Sequence, residues 1–243
     1  TVEENMPFDK DVSLDPELLG KVFENLLASY NPETQQTARK QTGSFYTPRE
    51  IVQYMVDESL VAHLKRTVGN ELEGEYRKLL DYADNETSLT EQQKLAIMQS
   101  LYNCKILDPA CGSGAFPVGV LQQMVHILKQ IDPDNSRWKN MLLQFAIDET
   151  SEAYLNSTAE ERREAVADIE RAFDENVNYP DYARKLHLIE NCIYGVDIQP
   201  IAIQISKLRF FISLVIDQKR NDNPADNFGI RPLPNLEAKF VAA

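Results

Sequence analysis

The stretch Asp108-Pro109-Ala110-Cys111-Gly112-Ser113-Gly114 constrains this chain more than any other part of it. An apolar run, Lys105-Ile106-Leu107-Asp108, leads into it, and Leu101 and Tyr102 are read as extending that strand. Beyond it, Phe116, Val120, Leu121, Met124, Val125, Leu128 and Ile131 recur at helical spacing until Asp132-Pro133-Asp134 stops the pattern. Strand, tight loop and helix in that order open a βαβ unit, and so an α/β fold. In such sheets ligands bind beyond the carboxyl ends of the strands. Gly112 and Gly114 allow a tight turn and close ligand approach, and the helix that follows offers unpaired N–H groups. The plain alternative is an ordinary strand-to-helix turn.

The type of ligand follows from what the loop lacks. A dinucleotide fingerprint requires a third glycine where this chain has Pro117. Asp108 would also sit beside a pyrophosphate, which repels it. An anion at that point suits a cationic, phosphate-free ligand, and S-adenosylmethionine carries both an ammonium and a sulfonium. Cys192-Ile193-Tyr194-Gly195-Val196-Asp197 reads as the next strand, and Pro200 opens a helix with Ala202, Ile205, Leu208, Phe211, Ile212 and Val215 inward. Asp197 is placed to accept both ribose hydroxyls, and Ile198 to pack on adenine. The competing role for Asp197 is to cap the helix near Pro200. The gap from loop to carboxylate is several times the usual ~20 residues, so residues 134–190 are read as a helical insertion between the first two strands. Phe240-Val241 is read as a third strand. Three strands are few for a doubly wound sheet, which typically has about four to six, so the chain is expected to be part of a larger protein.

Residues 1–100 read as an N-terminal helical region and 101–243 as a partial α/β core. Glu17 to Tyr30 has a helical apolar stripe, and Asn31 to Gln41 is a polar loop. A second helix follows Thr47, with Thr47 as cap, Pro48 at the first position, and Ile51, Val52, Met55, Val56, Leu60 and Leu64 as its buried face. Residues 67–100 read as surface helices. Gly43-Ser44-Phe45-Tyr46-Thr47-Pro48 is by itself a turn into a helix, but the Thr47 hydroxyl and the loop amides could also hold a ligand carboxylate.

Composition narrows the class. The chain is 243 residues long and 43% hydrophobic, enough for a real core. Its formal net charge of −13 argues against the chain alone binding DNA or an anionic membrane strongly. Its apolar runs fall short of a membrane span and no signal-peptide pattern opens it. The three cysteines form no CxxC pair, which suits a reduced cytoplasmic protein. His63, His126 and His187 are far apart and not at metal-ligand spacing with Cys, so no metal is expected.

Together the motifs resemble the N6 DNA adenine methyltransferases of type IIG restriction–modification enzymes and the related BREX methylases. That family carries a Tyr-Thr-Pro segment, then Asp-Pro-Ala-Cys-Gly-Ser-Gly-Ala-Phe, then Tyr-Gly-Val-Asp-Ile. This chain has Gly43 to Arg49, Asp108 to Phe116 and Tyr194 to Ile198 in the same order. Leu14 to Asn25, Lys207-Leu208-Arg209 and Leu233 to Leu236 with Phe240-Val241 also resemble family segments. The resemblance implies a Rossmann-like S-adenosylmethionine-dependent core with an incomplete sheet. It implies that Tyr46, Thr47 and Pro48 line the methionine end. Asp108, Pro109, Ala110, Cys111, Gly112 and Gly114 would form the floor under methionine and ribose, Asp197 would bind the ribose, and Ile198 would contact adenine. It makes Phe116 a packing residue and Cys111 a small loop residue rather than a nucleophile.

One departure matters. The family's catalytic Asn-Pro-Pro-Tyr, which follows the third strand, occurs nowhere here; Asn31-Pro32 and Asn223-Pro224 lack the second Pro and the Tyr. That motif accepts the exocyclic amine of a flipped adenine and stacks on the base. The chain is therefore expected to be a cofactor-binding part, inactive by itself, with double-stranded DNA bound through other regions. The alternatives are a methyltransferase for a non-DNA substrate, or a non-catalytic helical interaction module on a degenerate nucleotide-binding core.

Overall fold

A computed structural model describes residues 30–31, 36–37, 47–83, 86–148, 157–231 and 235–243. The chain is α/β, mostly helical around a small parallel sheet. Tyr30–Asn31 (β1) and Gln36–Thr37 (β2) form a short antiparallel pair where the expected helix meets the segment read as a loop. The helix expected over Glu17 to Tyr30 lies outside the described residues except for Tyr30, which is in β1.

Helix α1 (Arg49–Thr67) buries Val52, Val56, Leu60 and Leu64 at four-residue spacing, together with Val61. Ile51 and Met55, expected inside, are exposed because the buried stripe is rotated away from them. Pro48 rather than Thr47 occupies the cap position, and no side chain caps this helix. Helices α2 (Glu73–Leu80) and α3 (Glu91–Tyr102) do more than cover the surface. Tyr76, Leu79, Ile97, Met98 and Leu101 are fully buried in the main core. Thr90 and Gln93 form a reciprocal capping box that starts α3. Leu101 and Tyr102 end this helix rather than joining the strand, because Asn103 terminates it before the chain turns extended.

Strand β3 (Ile106–Asp108) runs into the glycine loop and then α4 (Ala115–Ile131). Helix α4 is the central element, with ten buried residues including Val120, Leu121, Met124 and Leu128. It approaches α1 closely at Gly119, where a Cβ would lie 3.2 Å from Val56 and 3.3 Å from Val52. Three helices come next, α5 (Ser136–Ile147), α6 (Ala159–Ala172) and α7 (Asp181–Asn191). Asp132 accepts the Trp138 and Arg137 amides at the start of α5, and the Trp138 side chain is fully buried.

Strand β4 (Ile193–Asp197) pairs parallel with β3, and β5 (Phe240–Ala242) pairs parallel with β4, so β4 is central. Between them lies α8 (Pro200–Val215), with Pro200 in its first turn. The register aligns Ile106 with Ile193 and Gly195 with Phe240, and α4 and α8 pack against this sheet. Side chains alternate across the strands. The other face therefore carries Leu107 and Val241, which are 60% and 43% exposed. Among the described residues no helix is long and apolar enough to cross a membrane.

The inward face of α8 differs from the apolar stripe expected. Ala202 and Ile205 are buried, but Leu208 is exposed, while Ser206, Lys207 and Arg209 are buried. Those polar residues have partners: Lys207 pairs with Glu237 at 2.6 Å, and the other two meet the glycine loop.

Candidate functional site

The parallel strands end together, which brings Asp108 and Asp197 to the same edge of the sheet. Asp108 turns back on its own loop, with Oδ1 accepting the Ala110 N–H at 3.0 Å. The loop then returns to β4: the Cys111 N–H donates to the Val196 carbonyl at 2.9 Å. Gly112 donates its N–H to Asp197 Oδ2 at 2.9 Å, and the Gln199 N–H donates to Asp197 Oδ1 at 2.8 Å. The two motifs singled out in the sequence, 85 residues apart, are thus directly hydrogen-bonded.

The loop backbone requires its glycines. Gly112 and Gly114 have φ of +54° and +83°, the left-handed region. The Gly114 N–H closes a turn onto the Cys111 carbonyl at 2.8 Å, and its own carbonyl accepts the Val118 N–H at 3.0 Å, starting α4. Nothing lies within 4 Å of where a Gly112 Cβ would be, so the loop is open there.

Burial, opposed by the Ala110 N–H and reinforced by the Asp197 carboxylate, raises the Asp108 carboxyl above its ordinary value. Burial and then the two carboxylates push the Cys111 thiol up to about 12. It is a thiol at neutral pH, not a thiolate nucleophile. Asp197 does not cap α8, whose cap position is Gln199; its carboxylate holds the loop and the start of the turn instead. Ile198 beside it is 73% exposed.

Thr47 reaches the same region. It lines a cavity of about 50 Å³ with Arg49, Gln53, Ser113, Gln122 and Arg209. Pro48 is exposed next to it, and Tyr46 lies outside the described residues. Gln53 and Gln122 carry no motif in the sequence, because single polar residues within a helix ordinarily face water. Larger cavities lie elsewhere: one of about 510 Å³ walled by α6, α7 and Tyr102, one of about 520 Å³ between α1 and α3, and one of about 450 Å³ between α1 and the start of α2. None of the predicted site residues lines any of them.

S-adenosylmethionine fits this donor set. Each Asp197 oxygen accepts one backbone N–H and keeps a second lone pair for a hydroxyl. Ile198 offers an exposed apolar surface beside that carboxylate, and the opening over Gly112 admits a ligand against the backbone. Among the described residues no group of three or more His, Cys, Asp or Glu could hold a metal ion.

Comparison with known proteins bears on the family rather than on the individual site residues. The family described as N-6 DNA Methylase matches residues 14–70, a segment that includes Thr47 and the whole of α1. The chain is also 29% identical over 236 residues to a protein of Methanocaldococcus jannaschii named as a type II restriction enzyme and methyltransferase. That match covers 94% of this chain and 16% of the relative, so the chain spans about a sixth of the relative's length. No solved structure matches the chain significantly. The chain is thus similar to N-6 DNA methylases over residues 14–70, and to an archaeal restriction enzyme and methyltransferase over most of its own length.

Proposed function

We propose that this chain is the S-adenosylmethionine-binding part of a DNA adenine N6-methyltransferase in a restriction–modification type system. The observation that carries the reading is the hydrogen bond between Gly112 and Asp197, which joins the glycine loop and the acidic strand end into one site. In this reading the Asp197 carboxylate holds the ribose hydroxyls and Ile198 packs on adenine. Asp108 with Pro109, Ala110, Cys111, Gly112 and Gly114 forms the floor under the methionine and ribose. Asp108 faces the cationic centre, while Tyr46, Thr47 and Pro48 line the methionine end. When bound, the cofactor supplies an electrophilic methyl group. The chain's own part is to bind and orient it, since proximity and alignment account for much of the rate in such transfers.

The acceptor is a flipped adenine in double-stranded DNA, and its recognition belongs to other parts of the whole protein. With Asn-Pro-Pro absent from these 243 residues and a net charge of −13, the chain alone neither grips DNA nor methylates it. Calorimetric titration with S-adenosylmethionine, with NAD as control, tests the cofactor reading. The native chain is expected to bind the former only, and Asp197→Ala to lose that binding. A folded chain that binds NAD, or neither compound, contradicts it. Methylation of adenine-containing duplex DNA by the chain alone would contradict the claim of inactivity.

A further inference from the structure

The glycine loop is held by side chains of α8 to which the cofactor reading gives no role. Ser206 Oγ donates to the Gly112 carbonyl at 3.0 Å, and Arg209 Nη1 donates to the Ser113 carbonyl at 2.9 Å. Ser206 is fully buried and Arg209 is 4% exposed. A buried guanidinium is costly unless its hydrogen bonds repay the loss of water. A turn that only had to be covered would be packed with an aliphatic side chain at this position.

We propose that Ser206 and Arg209 are positioning residues for cofactor binding: they fix the glycine loop by its Gly112 and Ser113 carbonyls in the shape that bonds Asp197 and stays open to the ligand over Gly112. The inference deepens the cofactor reading above and rests on it. In a trans peptide the C=O and N–H point in opposite directions. Pinning the Gly112 carbonyl to α8 therefore aims the Ser113 N–H away from α8. The adjoining first turn of α4 presents N–H groups without helical partners. Ser206 also sets the loop sequence. A Cβ on Gly114 would lie 2.8 Å from its Oγ, so the hydroxyl that fixes Gly112 also excludes a side chain at Gly114. Helix α8 begins three residues after Asp197, so one strand-and-helix unit supplies both the ribose carboxylate and the clamp on the opposing loop.

The experiment compares the native chain with Arg209→Met, Arg209→Lys and Ser206→Ala. It reads amide hydrogen exchange without ligand and the dissociation constant for S-adenosylmethionine. Arg209→Met and Ser206→Ala are expected to speed exchange at Gly112 and Gly114 about tenfold and to weaken the cofactor about tenfold, the scale of one buried hydrogen bond. Amides in α2 and α3 should keep native protection. Arg209→Lys keeps a donor and should recover most of the affinity, a rescue that loss of packing does not explain. Unchanged exchange in the loop would overturn the proposal. So would a loosened loop with affinity within twofold of native. If the native chain fails to bind S-adenosylmethionine, the cofactor reading falls, and the exchange data still decide whether α8 holds the loop.

Discussion

Adding a single methyl group at Gly195 probes how tightly the loop is seated on the sheet. A Cβ there would lie 2.7 Å from Cδ1 and Cε1 of Phe240 and 2.9 Å from Cys111 Sγ. Comfortable carbon contacts are about 3.5–4.0 Å, so something must move by roughly 1 Å. Phe240 cannot swing away, because it is fully buried and packed on Phe210 with ring centroids 4.8 Å apart. Cys111 is tied by its N–H to the Val196 carbonyl at 2.9 Å. Overpacking of this kind costs about 1–3 kcal/mol. At about 2 kcal/mol, a chain of this size should melt about 4–8 °C lower. Thermal unfolding of Gly195→Ala, Phe240→Leu and the double variant measures this. The smaller Leu side chain makes room for the new methyl, so the double variant should be at least ~1 kcal/mol more stable than the summed effects predict. Gly195→Ala melting within about 1 °C of native, or strict additivity in the pair, would refute the packing described.

Two pH-linked predictions follow from buried titratable groups. The folded chain holds a proton on Asp108 more tightly than the unfolded chain, because burial raises that carboxyl. Stability therefore falls as pH rises through its folded value, and the penalty persists at neutral pH. Asp108→Asn keeps an acceptor for the Ala110 N–H and removes the charge, so it should melt higher at pH 7 while binding S-adenosylmethionine at least about tenfold more weakly, the scale of a lost interaction with a charged group. A lower melting temperature would contradict this reading. His187 behaves in the opposite sense: burial depresses it from 6.5 to about 4. The unfolded chain takes up that proton first, so stability is full above about pH 6.5 and declines by about 2–3 kcal/mol toward pH 4. His187→Phe, which preserves an aromatic ring against Tyr102, should flatten that decline in urea unfolding at pH 7 and pH 4.5. An unchanged acid profile would show that His187 is not its source.

The strands and the loop were legible because their constraints are local. Asp108 before a glycine pair, and Asp197 before Pro200, announce strand ends from a few neighbouring residues. The apolar periodicity of α4 was equally plain, since that helix is buried nearly all round. The misreadings have a common cause: burial set by tertiary partners rather than by polarity. Leu101 and Tyr102 extended the strand's apolar run, yet Asn103 ends α3 after them. Tyr76 and Met98 sit in segments charged enough to suggest surface, but those helices pack on α1 and α4. Ser206 and Arg209 fall outside the apolar stripe expected to face inward, and only the fold brings the loop carbonyls, over 90 residues away in sequence, within their reach. The Asp197–Gly112 bond was inaccessible for the same reason; each residue was a candidate alone, and their contact depends on the parallel register of β3 and β4.

The central claim is that the cofactor sits at the joined ends of β3 and β4. Titrating S-adenosylmethionine into the isotope-labelled chain and following backbone amide resonances tests it most directly. The account predicts shifts confined to residues 108–115, to Asp197 to Gln199, and to the start of α1 near Thr47. Shifts confined to Tyr182, His187 and their neighbours around the cavity of about 510 Å³ would contradict it and place the ligand between α6 and α7 instead.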